Sequence, residues 1–225
     1  MTPRTKILAS FFFLALAAGA AFFFLRLSDT QTAMAAEPLS QEKLDAALSE
    51  RSIGDPKAPI TLYEHSSLSC PHCGHFHQET LPKLKANYVD TGKVRIVFRD
   101  FPLNAPALAG SVLARCLPES RYFDYASLLF ETQPQWLGKE DFEKTLRQNA
   151  ALAGLSPAEA DACLSSDALK KGIVEKMQED GKRLGIDSTP TFTIGDKPDS
   201  QKIIGAAPYE EFAAALDKAL AEAKK

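Results

Sequence analysis

Several features are scarce in this sequence, and each scarcity narrows what the chain can do. Neither sign of charge dominates. Over 225 residues, 26 Lys and Arg face 29 Asp and Glu, a net charge of −3. Arg4, Lys6, Arg26 and Asp29 are the only charges in the first 35 residues, so the remainder is more acidic still and holds no basic stripe. That argues against nucleic acid as a partner. No glycine-rich phosphate-binding fingerprint occurs, so no nucleotide or other organic cofactor is implied. Repeats and low-complexity tracts are absent as well. The 45% apolar and 24% charged composition excludes a largely disordered chain. Cysteine and histidine are few, four of each. The roughly 190 residues beyond the N-terminal stretch can bury about 70% of their unfolded surface, so disulfides are not needed merely to fold. The cysteines therefore need a chemical or compartmental reason.

Residues 7–25 are uncharged, with only Ser10 polar, and they follow Arg4 and Lys6. A positive segment ahead of an apolar run reads as a secretory signal, with Ala33-Met34-Ala35 offering small residues for cleavage before Ala36. The alternative is an uncleaved anchor, since nineteen helical residues reach about 28 Å, the depth of a bilayer core. In both readings the positive end stays in the cytoplasm and the C-terminal bulk is exported, into the periplasm or its equivalent. The membrane enters only if the segment is uncleaved. An exported compartment permits disulfides.

Beyond this stretch the expected layout is a short helix within residues 36–52, an α/β domain over 53–104 and 167–225, and an all-helical insertion over 105–166. Ser40 is the expected N-cap of the short helix, which runs to about Arg51, with Leu39 and Leu44 as its hydrophobic staple. Residues 60–65 and 94–98 read as strands covered on both faces. A helix between them, closed by Gly92, is expected to kink at Pro82. Helices follow near 105–116, 119–132, 139–153, 157–164 and 167–184. Short strands at 191–194 and 202–204 and a last helix from Pro208 to about Ala223 complete the order β-α-β, helices, α-β-β-α.

The chemistry sits at Cys70-Pro71-His72-Cys73, just after a strand and at the start of a helix. Pro71 suits the first helical position, where its missing N–H costs nothing. Cys70 then becomes the N-cap, with free amides and the positive helix end beside its sulfur, and both favour a thiolate. His72 is expected to lie beside the same sulfur and to add to the effect. Stabilising the reduced, ionised form makes a Cys70–Cys73 disulfide oxidising. Cys73, three positions on, faces inward and can resolve a mixed disulfide. An inert disulfide or a zinc knuckle is the plainer reading of a lone Cys-x-x-Cys. His65, His72, His75 and His77 cluster around it. Helical geometry, however, spreads the last three over more than half the circumference, and no second close Cys pair exists, so no metal is expected.

Residues 64–73, Glu64-His65-Ser66-Ser67-Leu68-Ser69-Cys70-Pro71-His72-Cys73, resemble the active-site segment of the DsbA family of exported thiol-disulfide oxidoreductases. The resemblance extends through Gly54-Asp55-Pro56-Lys57-Ala58-Pro59, Phe98-Arg99-Asp100-Phe101-Pro102-Leu103, residues 185–192 and Gly205-Ala206-Ala207-Pro208. It implies a thioredoxin-like α/β fold with a helical insertion. It implies that Thr189-Pro190 is a cis-proline loop facing the dithiol, where the Thr189 backbone meets a substrate strand. It also implies that Glu64 is a buried acid with a raised pKa that relays a proton to or from Cys73, although an exposed position at the strand end remains open from sequence alone. His65 stands where relatives usually carry an aromatic residue, Ser67 where many carry an acid, and Ser188 where glycine is common. Cys116 and Cys163, 47 residues apart in predicted helices, read as a structural bridge rather than a second redox pair, and some relatives have such a bridge. The implied activity is oxidation of newly exported, unfolded proteins through Cys70 and Cys73, with a membrane or soluble redox partner restoring the disulfide. A disulfide isomerase or reductase of the same fold, favoured by Thr before the proline, and a zinc- or copper-binding module built on the histidines are the rivals.

Overall fold

The computed structural model describes residues 38–223. The leader or anchor read at residues 1–35 lies outside them. Among the described residues no helix is long and apolar enough to cross a membrane.

The chain opens with helix α1 (Gln41–Leu48), where Ser40 accepts from the Lys43 amide as N-cap. The helix stops three residues before the expected Arg51 because Ser49 turns back, giving its N–H and its hydroxyl to the Ala46 carbonyl. Arg51 instead begins a strand that sequence reading missed, β1 (Arg51–Ile53). Strands β2 (Ile60–Ser66) and β3 (Val94–Asp100) run parallel, and β1 pairs antiparallel with β3. Between β2 and β3 the chain is helical from α2 (Pro71–His75) through α3 (Leu81–Leu84), but π-helical turns occupy Phe76–Thr80 and Lys85–Val89. Pro82 has no N–H to return to Gln78. The widened turns lie on both sides of α3, where Pro82 was expected to bend the helix, and accommodate the missing bond in the ladder.

Helices α4 (Ala105–Cys116), α5 (Glu119–Glu131), α6 (Gln133–Trp136), α7 (Phe142–Leu152) and α8 (Pro157–Ser165) follow in succession. The short α6 was not anticipated: Pro134, read as a break, sits in its first turn, where proline is tolerated. Helix α7 begins at Phe142, later than the 139 expected. Helix α9 (Asp167–Leu184) ends on Gly185 with φ 63°, a left-handed cap that suits glycine. Strands β4 (Thr191–Ile194) and β5 (Gln201–Ile204) and helix α10 (Tyr209–Glu222) complete the chain. The five-stranded sheet has the order β1-β3-β2-β4-β5, with β2 and β3 its only parallel pair.

Two cores flank this sheet. Ile60, Leu62, Phe76, Phe192 and Phe212 pack in one. The other joins Phe98 to Leu129, Phe130 and Trp136 of the helical segment and contains Cys70 and Cys73. Arg115 of α4 is buried and pairs with buried Asp100 at the end of β3, while its other nitrogen donates to the Ala47 and Ser49 carbonyls, each at 2.9 Å. One guanidinium thus fastens α4 to the sheet and to α1. Removing one partner of a buried pair leaves the other charge uncompensated. Arg115→Met should therefore lower stability by about 3–5 kcal/mol in denaturant unfolding.

Cys116 and Cys163 form a disulfide between the ends of α4 and α8, with Cα atoms 6.4 Å apart. In the chain-entropy view a loop of this size stabilises by about 4 kcal/mol. Cys116→Ala/Cys163→Ala should lose about 2–5 kcal/mol in the same experiment. Wild-type stability in the double variant would mean that the bridge constrains nothing.

Candidate active site

The loop 67–69 carries the chain from β2 to the start of α2, and several polar contacts fix it. The Cys70 amide donates to the Ser67 carbonyl at 3.0 Å, and Ser67 Oγ accepts from the Leu103 amide at 3.3 Å. Gln133 of α6 reaches across from the helical segment. Its Nε2 donates to the carbonyls of Leu68 (2.8 Å) and Cys70 (3.0 Å). Gln133 also explains Gly74, where an added Cβ would come within 3.0 Å of the Gln133 amide oxygen. Sequence reading missed Gln133. Nothing in Gln133-Pro134-Gln135 distinguishes a clamp from a surface turn.

Cys70 is the N-cap of α2, extended at φ −84° and ψ 120°, and Pro71 occupies the first turn. Both cysteines are free thiols. Cys70 retains 6% exposure and Cys73 none, so an incoming sulfur can reach only Cys70. Their electrostatics are opposite. The Cys73 thiol, hydrogen-bonded to the Cys70 sulfur, is the largest cause that brings Cys70 down to about 5. Burial opposes it, while the Thr189 side chain and the amides of Cys73 and His72 assist. Cys73 is pushed far above the ordinary thiol range, first by burial and then by the Cys70 sulfur. The His72 side chain, read as lying beside this sulfur, is exposed, and the His72 backbone N–H contributes at Cys70.

The Thr189–Pro190 bond is cis. It brings the Thr189 carbonyl to 3.3 Å from Cys70 Sγ, where that oxygen accepts from the thiol and is freed when the sulfur ionises. Glu64 is buried in β2 at 1% exposure, which removes the exposed-end alternative. Its Oε1 accepts from Ser66 Oγ at 2.5 Å and lies 2.7 Å from His77 Nε2. His65 is buried too, with Nδ1 3.3 Å from the Thr191 carbonyl and Nε2 3.6 Å from Asp180. The four histidines thus separate into two buried and two exposed. Among the described residues no group of three His, Cys, Asp or Glu side chains is placed to hold a metal ion.

A sheet whose central parallel strand leads into a Cys-Pro-His-Cys helix, faced by a cis-proline, is the arrangement of thioredoxin-like proteins. Residues 46–218 match the family model described as Thioredoxin. The crystal structure of Wolbachia pipientis alpha-DsbA1 superposes with a TM-score of 0.72 at 31% identity, covering 78% of this chain and 92% of that one. The chain belongs to the DsbA family, with a thioredoxin-like fold augmented by helices. Oxidised BdbD from Bacillus subtilis shares the fold, with a TM-score of 0.68 at 19% identity over 83% of this chain and 97% of that one. In sequence, the Disulfide bond formation protein D of Bacillus subtilis is 26% identical over 181 residues, 75% of this chain and 76% of its own. A Rickettsia typhi protein, provisionally named a protein-disulfide oxidoreductase, is 27% identical over 175 residues, 77% of this chain. The chain spans 63% of that relative's length.

The low value at Cys70 has a stability consequence. A thiol titrates near 8.5 when unfolded and near 5 here. The depressed value stabilises the folded, reduced protein fully above about pH 8.5, and that contribution is lost as pH falls through about 5. The stability of reduced relative to oxidised protein should therefore rise with pH between these limits and level off beyond them. Unfolding both forms across this range tests it, and Cys70→Ala should remove the rise. A thiolate absorbance midpoint near the ordinary thiol value would contradict the assignment.

Proposed function

We propose that this protein is an exported dithiol oxidase that introduces disulfides into newly translocated proteins, in the periplasm or an equivalent compartment. The observation that carries the reading is the opposition of the two sulfurs within one helical turn. A thiolate of a client protein attacks Cys70 Sγ of the Cys70–Cys73 disulfide. The S–S bond breaks, Cys73 leaves with the bonding pair and takes up a proton, and client and Cys70 share a mixed disulfide. A second client thiolate then attacks the client sulfur, the client disulfide forms, and Cys70 departs as a thiolate. Two electrons have moved from the client to the Cys70–Cys73 pair. The low pKa that makes Cys70 a good leaving group also stabilises the reduced enzyme, which drives client oxidation. Thr189 and Pro190 offer backbone to an extended client segment beside Cys70, and Glu64 exchanges the proton of Cys73.

Support for export comes from the leader-like residues 7–25, and a redox partner is required because the cycle ends with reduced enzyme. No organic cofactor takes part in these steps. Cys116–Cys163 stays closed as a structural bridge. The reading predicts an asymmetry. Mixed with a reduced, unfolded client under oxidising conditions, Cys73→Ser should accumulate client disulfide-linked through Cys70, and Cys70→Ser should accumulate none. Non-reducing electrophoresis with peptide mapping reads this directly, and equal trapping by the two variants would reject it. A Cys70–Cys73 pair found reduced in the native compartment would favour the isomerase or reductase reading instead.

A further inference from the structure

His77 lies in the π-helical turn Phe76–Thr80, a widened geometry that recurs at functional sites. It is a buried histidine in an aromatic setting. Its ring stacks on Phe130 of α5 with centroids 4.1 Å apart, and it meets Phe76 of its own turn and Phe98 of β3 edge-on at 5.7 and 6.0 Å. Tyr122 of α5 stands beyond Phe98. The one acidic group in contact is Glu64 of β2, with Nε2 2.7 Å from Oε1. Nδ1 is buried without a partner. An N–H placed on Nδ1 would find no acceptor, so the ring proton belongs on Nε2 and is donated to Glu64.

The same Glu64 oxygen accepts the Ser66 hydroxyl at 2.5 Å. Ser66 in turn hydrogen-bonds the buried Cys73 sulfur. Cys73, Ser66, Glu64 and His77 thus form one polar line through an otherwise apolar core. Two donors on one oxygen suit a carboxylate, which accepts only.

We propose that His77 is a positioning residue for the resolving cysteine: by donating Nε2–H to Glu64 it holds that carboxylate aimed at Ser66, ready to take the Cys73 proton. This rests on the dithiol-exchange reading above and extends it to a residue outside the Cys-Pro-His-Cys motif. When Cys73 resolves a mixed disulfide, its S–H bond breaks and the proton passes to Ser66 Oγ as the Ser66 proton passes to Glu64 Oε1. The Cys73 thiolate forms a bond to Cys70 Sγ, and the Cys70–client S–S bond breaks with its electron pair leaving on the client sulfur. The oxidising direction returns the proton by the same atoms. Cys70 needs no such help.

The test is a single-turnover reaction of the reduced, purified protein with a symmetrical peptide disulfide. Capture by Cys70 releases the first peptide, and attack by Cys73 releases the second. His77→Phe keeps the stack on Phe130 and removes the donor. It should leave capture unchanged and slow the second release about 10- to 100-fold, the scale of losing a partner that orients the reacting group. His77→Gln, which retains an N–H, should recover most of that rate. Glu64→Gln should be slow by itself, and adding His77→Phe to it should slow it no further, whereas a merely structural role would add. His77→Leu serves in the same cycle should His77→Phe not fold. Wild-type second release in the donor-less variant, or an undiminished effect of it in the Glu64→Gln background, would overturn the proposal. Failure of the wild-type protein to capture any peptide would instead overturn the dithiol-exchange reading.

Discussion

Cys70 and Cys73 are separated by one helical turn, yet exchange chemistry requires them to sit in opposite electrostatic environments. One sulfur has to be a stable anion open to a partner, and the other a protonated thiol hidden until needed. A helix N-terminus placed at the margin of a core satisfies both demands with one element. The first turn offers the His72 and Cys73 amides to Cys70 because a helix start leaves them without intrahelical acceptors, and Pro71 fits there since its missing N–H would have been an orphan. A turn later the helix has entered the core and Cys73 has no exposure. The rest of the site serves this placement. Ser67 and Gln133 hold the loop that sets where the helix starts, and the cis-proline loop brings the Thr189 side chain and carbonyl to the Cys70 sulfur.

The helical segment takes part in that arrangement. Gln133 binds the Leu68 and Cys70 carbonyls from α6, Phe130 of α5 covers His77, and Arg115 of α4 neutralises Asp100 where β3 ends. Buried charges of this kind contribute little net stability but penalise alternatives heavily, because any shift strands a charge in the core. Asp100 and Glu64 lie on the paired parallel strands β2 and β3, whose register places Ser66 opposite Asp100. A slip of one residue by either strand would turn its acid to the other face of the sheet. The ionic contacts therefore act mainly on the register of the strands that carry the site.

Much of this was legible in the sequence where the signal is local. Cys70-Pro71 marks a helix start, Gly185 a helix end, and Ser40 an N-cap that its side chain does occupy. Helix limits at Ala105–Cys116 and Asp167–Leu184 match because periodic apolar positions, caps and prolines agree there. What escaped was set by distant partners. Strand β1 is three residues, Arg51-Ser52-Ile53, with no alternation to read, and it exists because β3 presents an open edge. The extension of β3 through Arg99 and Asp100 depends on His65 and Ser66 opposite, and Asp100 is tolerated in the interior only because Arg115 meets it. Glu64 was recognisable as an acid at a suggestive distance from Cys70. That His77 would be its partner required the π-helical turn, which changes which side of the helix faces β2, and no propensity announces such a turn.

The two cysteine pairs show how far helix polarity alone can divide one chemistry into two roles. Cys70 caps the positive end of α2, where amides solvate an anion. Cys116 is the last residue of α4, and Cys163 lies in the last turn of α8, the ends where carbonyls point outward and negative charge is disfavoured. Arg115, the neighbouring cation, is committed to Asp100 and to two carbonyls. Cys163 is buried besides. A sulfur leaving from the Cys116–Cys163 bond would thus become an anion at the negative end of a helix. The surroundings that lower Cys70 are not repeated at the second pair, and the difference follows from which end of a helix each cysteine occupies.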